Sequence, residues 1–210
     1  MDVNICVANV SHVKYAEKIC ELMYISAQER GTGIAKRSPE YVAEKMIAGK
    51  AVIALAGDEF AGFSYIETWS HSRFVANSGL IIAHQFRKSG LARRVKAKVF
   101  ELSRKLYPDA KIFSITTGLA VMKLNTELGF KPVTFSELTD DEEFWKGCQG
   151  CINFDVLQRN NRKMCLCTGL LYDPAEHVKE KKTAAIKALP FIASKISSII
   201  TLKNYNRDEK

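Results

Sequence analysis

A six-residue turn, a few proton-carrying side chains and four closely spaced cysteines are the parts of this 210-residue chain with the types and spacing for chemistry. The turn is Arg87-Lys88-Ser89-Gly90-Leu91-Ala92, set after an apolar strand pattern and before an amphipathic helix pattern. Glycine at such a junction lets backbone approach a ligand closely, and the N–H groups that open the helix point into one concavity. That arrangement can hold a pyrophosphate; the same pattern also serves as a plain strand-to-helix loop beside a solvated basic face. Glu67, His71 and His84 stand near strand ends, where a carboxylate or imidazole can accept a proton from a reacting amine. Cys148-x-x-Cys151, thirteen residues and then Cys165-x-Cys167 have the spacing of a structural zinc site. A strand through 165–167 would put both of its thiols on one face. A redox pair at Cys148 and Cys151 is a second use of the pattern, and small buried side chains, as expected for Cys6 and Cys20, are a third.

The elements that must hold these residues alternate between strand and helix. Apolar patterns predict strands over 5–8, 51–56, 60–68, 78–83 and 111–116, and another begins around Phe130 and Val133. The Gly57-Asp58-Glu59 turn makes a hairpin of the second and third. Ser11 predicts one helix start, and Ser38-Pro39-Glu40 predicts another from a capping hydroxyl, a first-turn proline and an acid at the positive end. The helix after the phosphate turn carries Leu91, Val95, Val99, Leu102 and Leu106 on its apolar face. Arg93, Arg94, Lys96, Lys98, Arg104 and Lys105 fall on its opposite, solvated face. Residues 119–128 form a helix ended by Gly129. After Ser136 come the acids Glu137, Asp140, Asp141, Glu142 and Glu143, and then the cysteines. The expected division is one domain over 1–172, with the cysteine segment at 145–168, and a helical appendage over 173–210.

A composition of 47% hydrophobic and 26% charged residues excludes a disordered chain, a collagen-like fibre and a disulfide miniprotein. Lys and Arg number 31 against 23 Asp and Glu. Residues 85–111 hold nine basic and two acidic residues, so the excess centres on the phosphate turn. That favours a small anion over nucleic acid, for which aromatic-basic interleaving and a recognition-helix motif are lacking. The N-terminus shows no basic segment followed by an apolar run, and residues 188–202 are shorter than the roughly 20 apolar residues a bilayer span requires. The expectation is a cytoplasmic chain whose thiols are reduced or bound to metal.

Arg87-x-x-Gly90-x-Ala92 and the later Leu128-Gly129-Phe130, in this order of elements, resemble the GCN5-related N-acetyltransferases, or GNAT family, over roughly residues 1–136. The resemblance implies an α/β (α+β) fold: a mixed, mostly antiparallel sheet that splays after its fourth strand, flanked by helices. It implies acetyl-CoA as acyl donor, its phosphates on Arg87 to Ala92 and its pantetheine amides paired to the free edge at Leu80, Ile81 and Ile82. Many family members carry a tyrosine four residues before the glycine of Gly-Phe, where it can protonate the leaving thiolate. Asn125 stands there in this chain, beside the same thiol, and an amide cannot serve as that acid. A thiol's reference pKa of about 8.5 leaves little need for acid help.

Gly33-Ile34-Ala35-Lys36-Arg37-Ser38, Thr116-Thr117, Gly129-Phe130-Lys131-Pro132-Val133 and Gln158-Arg159 with Arg162-Lys163 resemble segments of the bacterial N-acetylglutamate synthases. This closer resemblance implies transfer to the α-amine of glutamate or a similar acidic amino acid, the first step toward arginine. Arg37 would face one substrate carboxylate, Arg159 or Arg162 the other, with Thr117 nearby; a dicarboxylate suits two bidentate guanidinium groups. Direct attack in a ternary complex is expected, with Glu67 or His84 as proton acceptor. The rival readings are a GNAT acting on a protein N-terminus, a polyamine or an antibiotic, for which the acids at 137–143 could line a pocket, and a zinc-stabilised nucleic-acid-binding module. The appendage, with Lys179, Lys181, Lys182 and Lys187 on one helix and Ile192, Ile196, Ile199 and Ile200 on the next, is expected to pack on its own domain; the alternatives are a homodimer contact and a membrane surface.

Overall fold

The computed structural model describes residues 2–31 and 36–178. Gly33 to Ala35, and the appendage beyond 178 with its predicted basic and apolar faces, lie outside the described residues. Alternating patterns over the first half produce strands β1 (Asn4–Val7), β2 (Ala51–Ala56), β3 (Glu59–Trp69), β4 (Phe74–Ile82) and β5 (Lys111–Thr116). Two short strands follow, β6 (Lys131–Val133) and β7 (Thr168–Tyr172). Among the described residues they make one sheet in the order β1-β2-β3-β4-β5-β7-β6. Only the β4–β5 pair is parallel; the others are antiparallel. The mixed, mostly antiparallel sheet with flanking helices is thus borne out.

The helices are α1 (Ala16–Arg30), α2 (Pro39–Ile47), α3 (Leu91–Leu106), α4 (Leu119–Glu127), α5 (Glu142–Lys146) and α6 (Phe154–Arg159). α2 starts as its sequence dictates: Ser38 Oγ accepts the Tyr41 N–H at 3.2 Å, and Pro39 opens the first turn. The entry to α1 differs from expectation. Asn9, rather than Ser11, is the cap: its side chain takes the Ser11 N–H at 2.9 Å, while His12 Nδ1 takes the Asn9 N–H at 3.1 Å. This reciprocal box starts a 3-10 turn over Val10–Tyr15 that runs into α1.

The main core lies where β2, β3 and β4 meet α3: Ile53, Phe60, Phe63, Ile66, Val95 and Val99 have no exposed surface. Each such side chain contributes about 1.5–3 kcal/mol by leaving water. A second cluster gathers Phe113, Phe135, Trp145 and Leu157, with Cys148, Cys165 and Cys167 packed against it. This cluster holds α5 and α6 to the far side of the sheet.

The burial corrects one expectation. Lys96 is only 1% exposed, because α4 and the Gly129-Phe130 turn cover the flank of α3 that the sequence assigned to solvent. Of the acids at 137–143, Asp140 and Glu142 line a pocket together with Trp145, Lys146 and Arg162, and the five acids also make local contacts. Glu137 closes a capping box with Thr134, and Asp141 caps α5. Asp140 and Asp141 accept hydrogen bonds from Ser70, while Glu142 pairs with Arg162 and Glu143 with Lys146.

Candidate functional site

The site begins with a fork in the sheet. β4 pairs with β5 only from Phe74 to Ala76. Beyond that, β5 follows β7 through Thr116 while β4 follows β3 through Ile82. Among the described residues, backbone groups of Leu80, Ile81 and Ile82 that would continue the β4–β5 ladder are therefore left without a strand partner on that edge, where the sequence resemblance expects a free edge. A bulge falls in the same stretch, between the Tyr65–Ser78 and Phe63–Ile81 pairs. Gly79 makes it possible: its φ is +64°, and an added Cβ would lie 2.2 Å from Tyr65 Cε1. Bulges bend a strand and free its polar groups, and they gather beside active sites.

At the open end of the fork stands the phosphate turn. A 3-10 turn, His84–Phe86, leads to Arg87, then Lys88 at φ +62° and Gly90 at φ +79°. Ser89 Oγ donates to Phe86 O at 2.6 Å and fixes the turn. No side chain caps α3, so its first N–H groups face the turn, where an anion is stabilised. A non-glycine residue in the left-handed region costs about 1–3 kcal/mol and persists where the surroundings impose it. Arg87 is not a free cation. Its guanidinium donates to Ile82 O at 3.3 Å and Ser26 Oγ at 2.9 Å and pairs with Glu29 at 3.4 Å, tying the turn to β4 and α1.

At the crotch of the fork, four side chains converge around Glu67. Tyr65 and Glu67 are two apart on β3 and share a face. Glu67 is buried, and its Oε2 accepts from Ser78 Oγ at 2.6 Å. Its Oε1 accepts from the Tyr41 hydroxyl and lies 3.6 Å from an Arg37 nitrogen. Arg37 Nε also donates to the Tyr65 oxygen at 2.7 Å. Burial works against the Arg37 guanidinium, but Tyr65 and Glu67 outweigh it and raise its pKa. Burial, then Glu67, raises the pKa of both tyrosines, which stay protonated. Tyr41, Tyr65 and Ser78 were missed in the sequence; the i, i+2 spacing of Tyr65 and Glu67 was their one legible signal.

The other predicted residues are placed as follows. His84 is exposed at the phosphate end, eight positions along from Ala76, which faces Glu67 in the ladder. That run exceeds about 20 Å of extended chain, so Glu67 and His84 do not share a site. Thr117 is exposed just past β5. Asn125 is completely buried, and neither of its amide atoms has a partner. Gln158 and Arg159 lie on α6. Arg159 pairs with Asp155 at 3.5 Å and Arg162 with Glu142 at 2.6 Å, and neither contacts the Glu67 cluster.

All four cysteines are free and half-buried. Cys165 and Cys167 lie on the loop entering β7 rather than on the strand. Asn153 links two of the thiols: its N–H donates to Cys151 Sγ at 3.4 Å, and its carbonyl accepts from Cys165 Sγ at 3.8 Å. Burial, then Cys151 and Cys165, pushes Cys148 up to about 11. Burial, then Cys165, Cys151 and Cys148, pushes Cys167 up to about 12. The four thiols thus share one neighbourhood, and Arg37 acts on Cys148 from the Glu67 cluster. Among the described residues, no three His, Cys, Asp or Glu side chains are already drawn together as metal ligands.

No protein-family model and no curated protein matches the sequence. Solved structures do match its fold. N-acetylglutamate synthase from Neisseria gonorrhoeae, complexed with coenzyme A and N-acetyl-glutamate, is similar at 17% identity and a TM-score of 0.58, over 82% of this chain and 35% of that one. Rv2747 from Mycobacterium tuberculosis, in complex with CoA and NLQ, is similar at 14% identity and a TM-score of 0.56, over 81% and 98% of the two chains. An acetyltransferase of the GNAT family from Staphylococcus aureus Mu50 is similar at 16% identity and a TM-score of 0.55, over 67% and 91%. This chain spans about a third of the gonococcal synthase. The architecture is the GNAT acetyltransferase fold.

Proposed function

We propose that this chain is an acyl-CoA-dependent N-acyltransferase that moves acetyl from acetyl-CoA to the α-amine of glutamate or a similar acidic amino acid. The observation that carries the reading is the fork: one free strand edge runs from an uncapped helix N-terminus at Gly90 to a buried carboxylate cluster at Glu67. A long donor with phosphates at one end and a reactive acyl group at the other fits that line. The acceptor amine attacks the thioester carbonyl at the crotch, and backbone N–H groups of bulged β4 stabilise the oxyanion. Glu67 takes the amine's proton, with Tyr41, Ser78 and Arg37 fixing its oxygens. Arg37 is the cation nearest this carboxylate, and it meets a substrate carboxylate by turning from Glu67.

The acidic acceptor is supported by the motif resemblance around Arg37 and Gly129-Phe130, and by the gonococcal synthase that carries N-acetyl-glutamate. The experiment is a panel of amines with acetyl- and succinyl-CoA, read by thiol release. Glutamate-dependent release of CoA from acetyl-CoA is expected; release with a polyamine or peptide amine alone would overturn the acidic-acceptor reading. Parallel-line kinetics would overturn the ternary complex. We further read the four cysteines as a structural zinc site, because they share one neighbourhood and the two raised by burial and by their neighbours, Cys148 and Cys167, gain from a cation that takes them as thiolates. The site would fix the 145–168 segment beside the acceptor cluster. A cytoplasmic location and arginine biosynthesis follow as part of the same reading.

A further inference from the structure

A cavity of about 740 Å³ opens in the segment between β6 and β7. Its walls are the 3-10 turn at Phe135, α5, α6 and the loop that follows α6. None of the residues that line it belongs to the Glu67 cluster or to the phosphate turn. Its size lies within the roughly 300–1,000 Å³ of small-molecule sites. The floor is apolar: Phe135, Leu138, Trp145 and Leu157 are buried, and Phe154 is half-buried. The Phe135 and Trp145 rings tilt together at 5.5 Å, and the indole N–H donates to Thr139 O at 2.9 Å. The aromatic part of the floor is thus fixed before a ligand arrives, and a flat or branched apolar body packs on it.

The charged residues around this floor select the ligand's charge. Asp140 and Glu142 are the acids that line the cavity, and Lys146, Arg162 and Lys163 the bases. Glu142 takes the Arg162 guanidinium at 2.6 Å, and Lys146 is taken by Glu143 at 2.5 Å. One carboxylate and one ammonium stay uncommitted. Asp140 accepts the Ser70 hydroxyl at 3.1 Å, and among the described residues neither it nor Lys163 has an ion pair. The Glu142–Arg162 contact ties α5 to the loop after α6. Asp140 is two residues from Glu142 and Lys163 is next to Arg162, so both uncommitted charges flank one contact. A polyamine would meet Lys163 as a like charge, and a dicarboxylate would meet Asp140 as one. We propose that this cavity binds a small zwitterion with an aromatic or large aliphatic body, the chemistry of an apolar amino acid and of a dipeptide built from one. Its ammonium meets Asp140, its carboxylate meets Lys163, and its apolar part lies on Trp145 and Phe154. Gln149, Gln158 and Asn161 offer amide donors and acceptors to its remaining polar atoms. The site uses no residue of the fork, so the proposal stands independently of the acyl-CoA reading.

The test is calorimetric titration of the full chain with phenylalanine, leucine and the dipeptide Leu-Phe, whose relative affinities tell a free amino acid from a peptide. At least one is expected to bind at one site per chain, with saturating CoA unable to displace it. The N-acetyl derivative of the best ligand lacks the ammonium, and its C-terminal amide lacks the carboxylate. Each is expected to bind about fivefold more weakly or worse, the scale of one exposed ion pair. Asp140→Asn and Lys163→Met change exposed side chains. Each should weaken the zwitterion by a similar factor. Asp140→Asn should leave the N-acetyl derivative's affinity unchanged, and Lys163→Met that of the amide. No binding by any of the three at millimolar concentration, displacement by CoA, or affinities that neither the derivatives nor the substitutions alter would overturn the proposal. Spermidine or glutamate binding in the zwitterion's place would overturn it as well. A chain that binds the zwitterion but not CoA would overturn the acyl-CoA reading alone.

Discussion

Ser78 Oγ donates a 2.6 Å hydrogen bond to Glu67 Oε2, joining the bulge of β4 to the buried carboxylate of β3. The contact couples two features that serve one reaction. The bulge frees backbone donors at the fork, and the carboxylate it touches receives the acceptor's proton.

Glu67→Gln keeps the shape and can still accept from Ser78, but it cannot take a proton. We expect kcat to fall about 100-fold or more with CoA affinity unchanged, as for loss of a general base. The same measurement on His84→Ala separates the two sequence candidates, because His84 stands at the other end of β4 and its loss leaves kcat within about threefold.

Gly79→Ala places a Cβ 2.2 Å from the Tyr65 ring at a φ of +64°. Left-handed strain of about 1–2 kcal/mol adds to overpacking of about 1–3 kcal/mol. A loss of at least about 2 kcal/mol in urea unfolding is expected; a wild-type midpoint would show that the bulge does not need glycine.

Gly90→Ala meets nothing within 4 Å, so only its φ of +79° burdens the free protein. A drop in stability of about 1–2 kcal/mol is expected. Its methyl faces the anion's approach, so CoA dissociation constants should rise at least about tenfold, or about 1.4 kcal/mol. Calorimetry on Gly90→Ala and wild type reads both effects.

One zinc per chain is expected from elemental analysis of protein purified without chelator. Stripping it should lower the melting temperature and expose four titratable thiols. Cys148→Ser and Cys167→Ser should each lose the metal. Four reactive thiols without zinc in native protein would remove the site.

Lys96, buried on α3, makes a prediction about stability. Its folded pKa of about 7 lies below the unfolded reference of about 10.4. Between these values the unfolded chain holds a proton that the folded chain has released. Wild-type stability relative to Lys96→Met should therefore rise from about pH 7 to about pH 10.4 and level off outside that window. Denaturant melts across that range check the sign; a flat difference would mean that Lys96 stays charged when buried.

The first half of the fold was legible because its signals are local. Ser38-Pro39 starts α2, the Gly57 turn sets the β2–β3 hairpin, and Gly90 opens α3. The second half was not, because its elements depend on distant partners. β7 is five residues long and was hidden behind the cysteine pattern; it is a strand because β5 and β6 flank it. Lys96 was read as a solvated residue from helical spacing, which cannot show that α4 covers that flank. At the site, the carboxylate and the phosphate turn were visible by residue type. The hydroxyls that hold Glu67 come from α2, β3 and β4 and meet only once the chain has folded.

The place of β7 sets an order on synthesis. Among the described residues, β6 has β7 as its only strand partner, and β7 is made 35 residues after β6 ends. As the chain leaves the ribosome, β5 keeps one edge bare until Thr168–Tyr172 emerges, and the apolar cluster around Phe113 and Trp145 stays incomplete. A long-range closure of this kind is slow and leaves a nascent edge open to other chains. Chains cut within the cysteine segment should therefore aggregate, while a chain ending just after Tyr172 contains every strand found among the described residues.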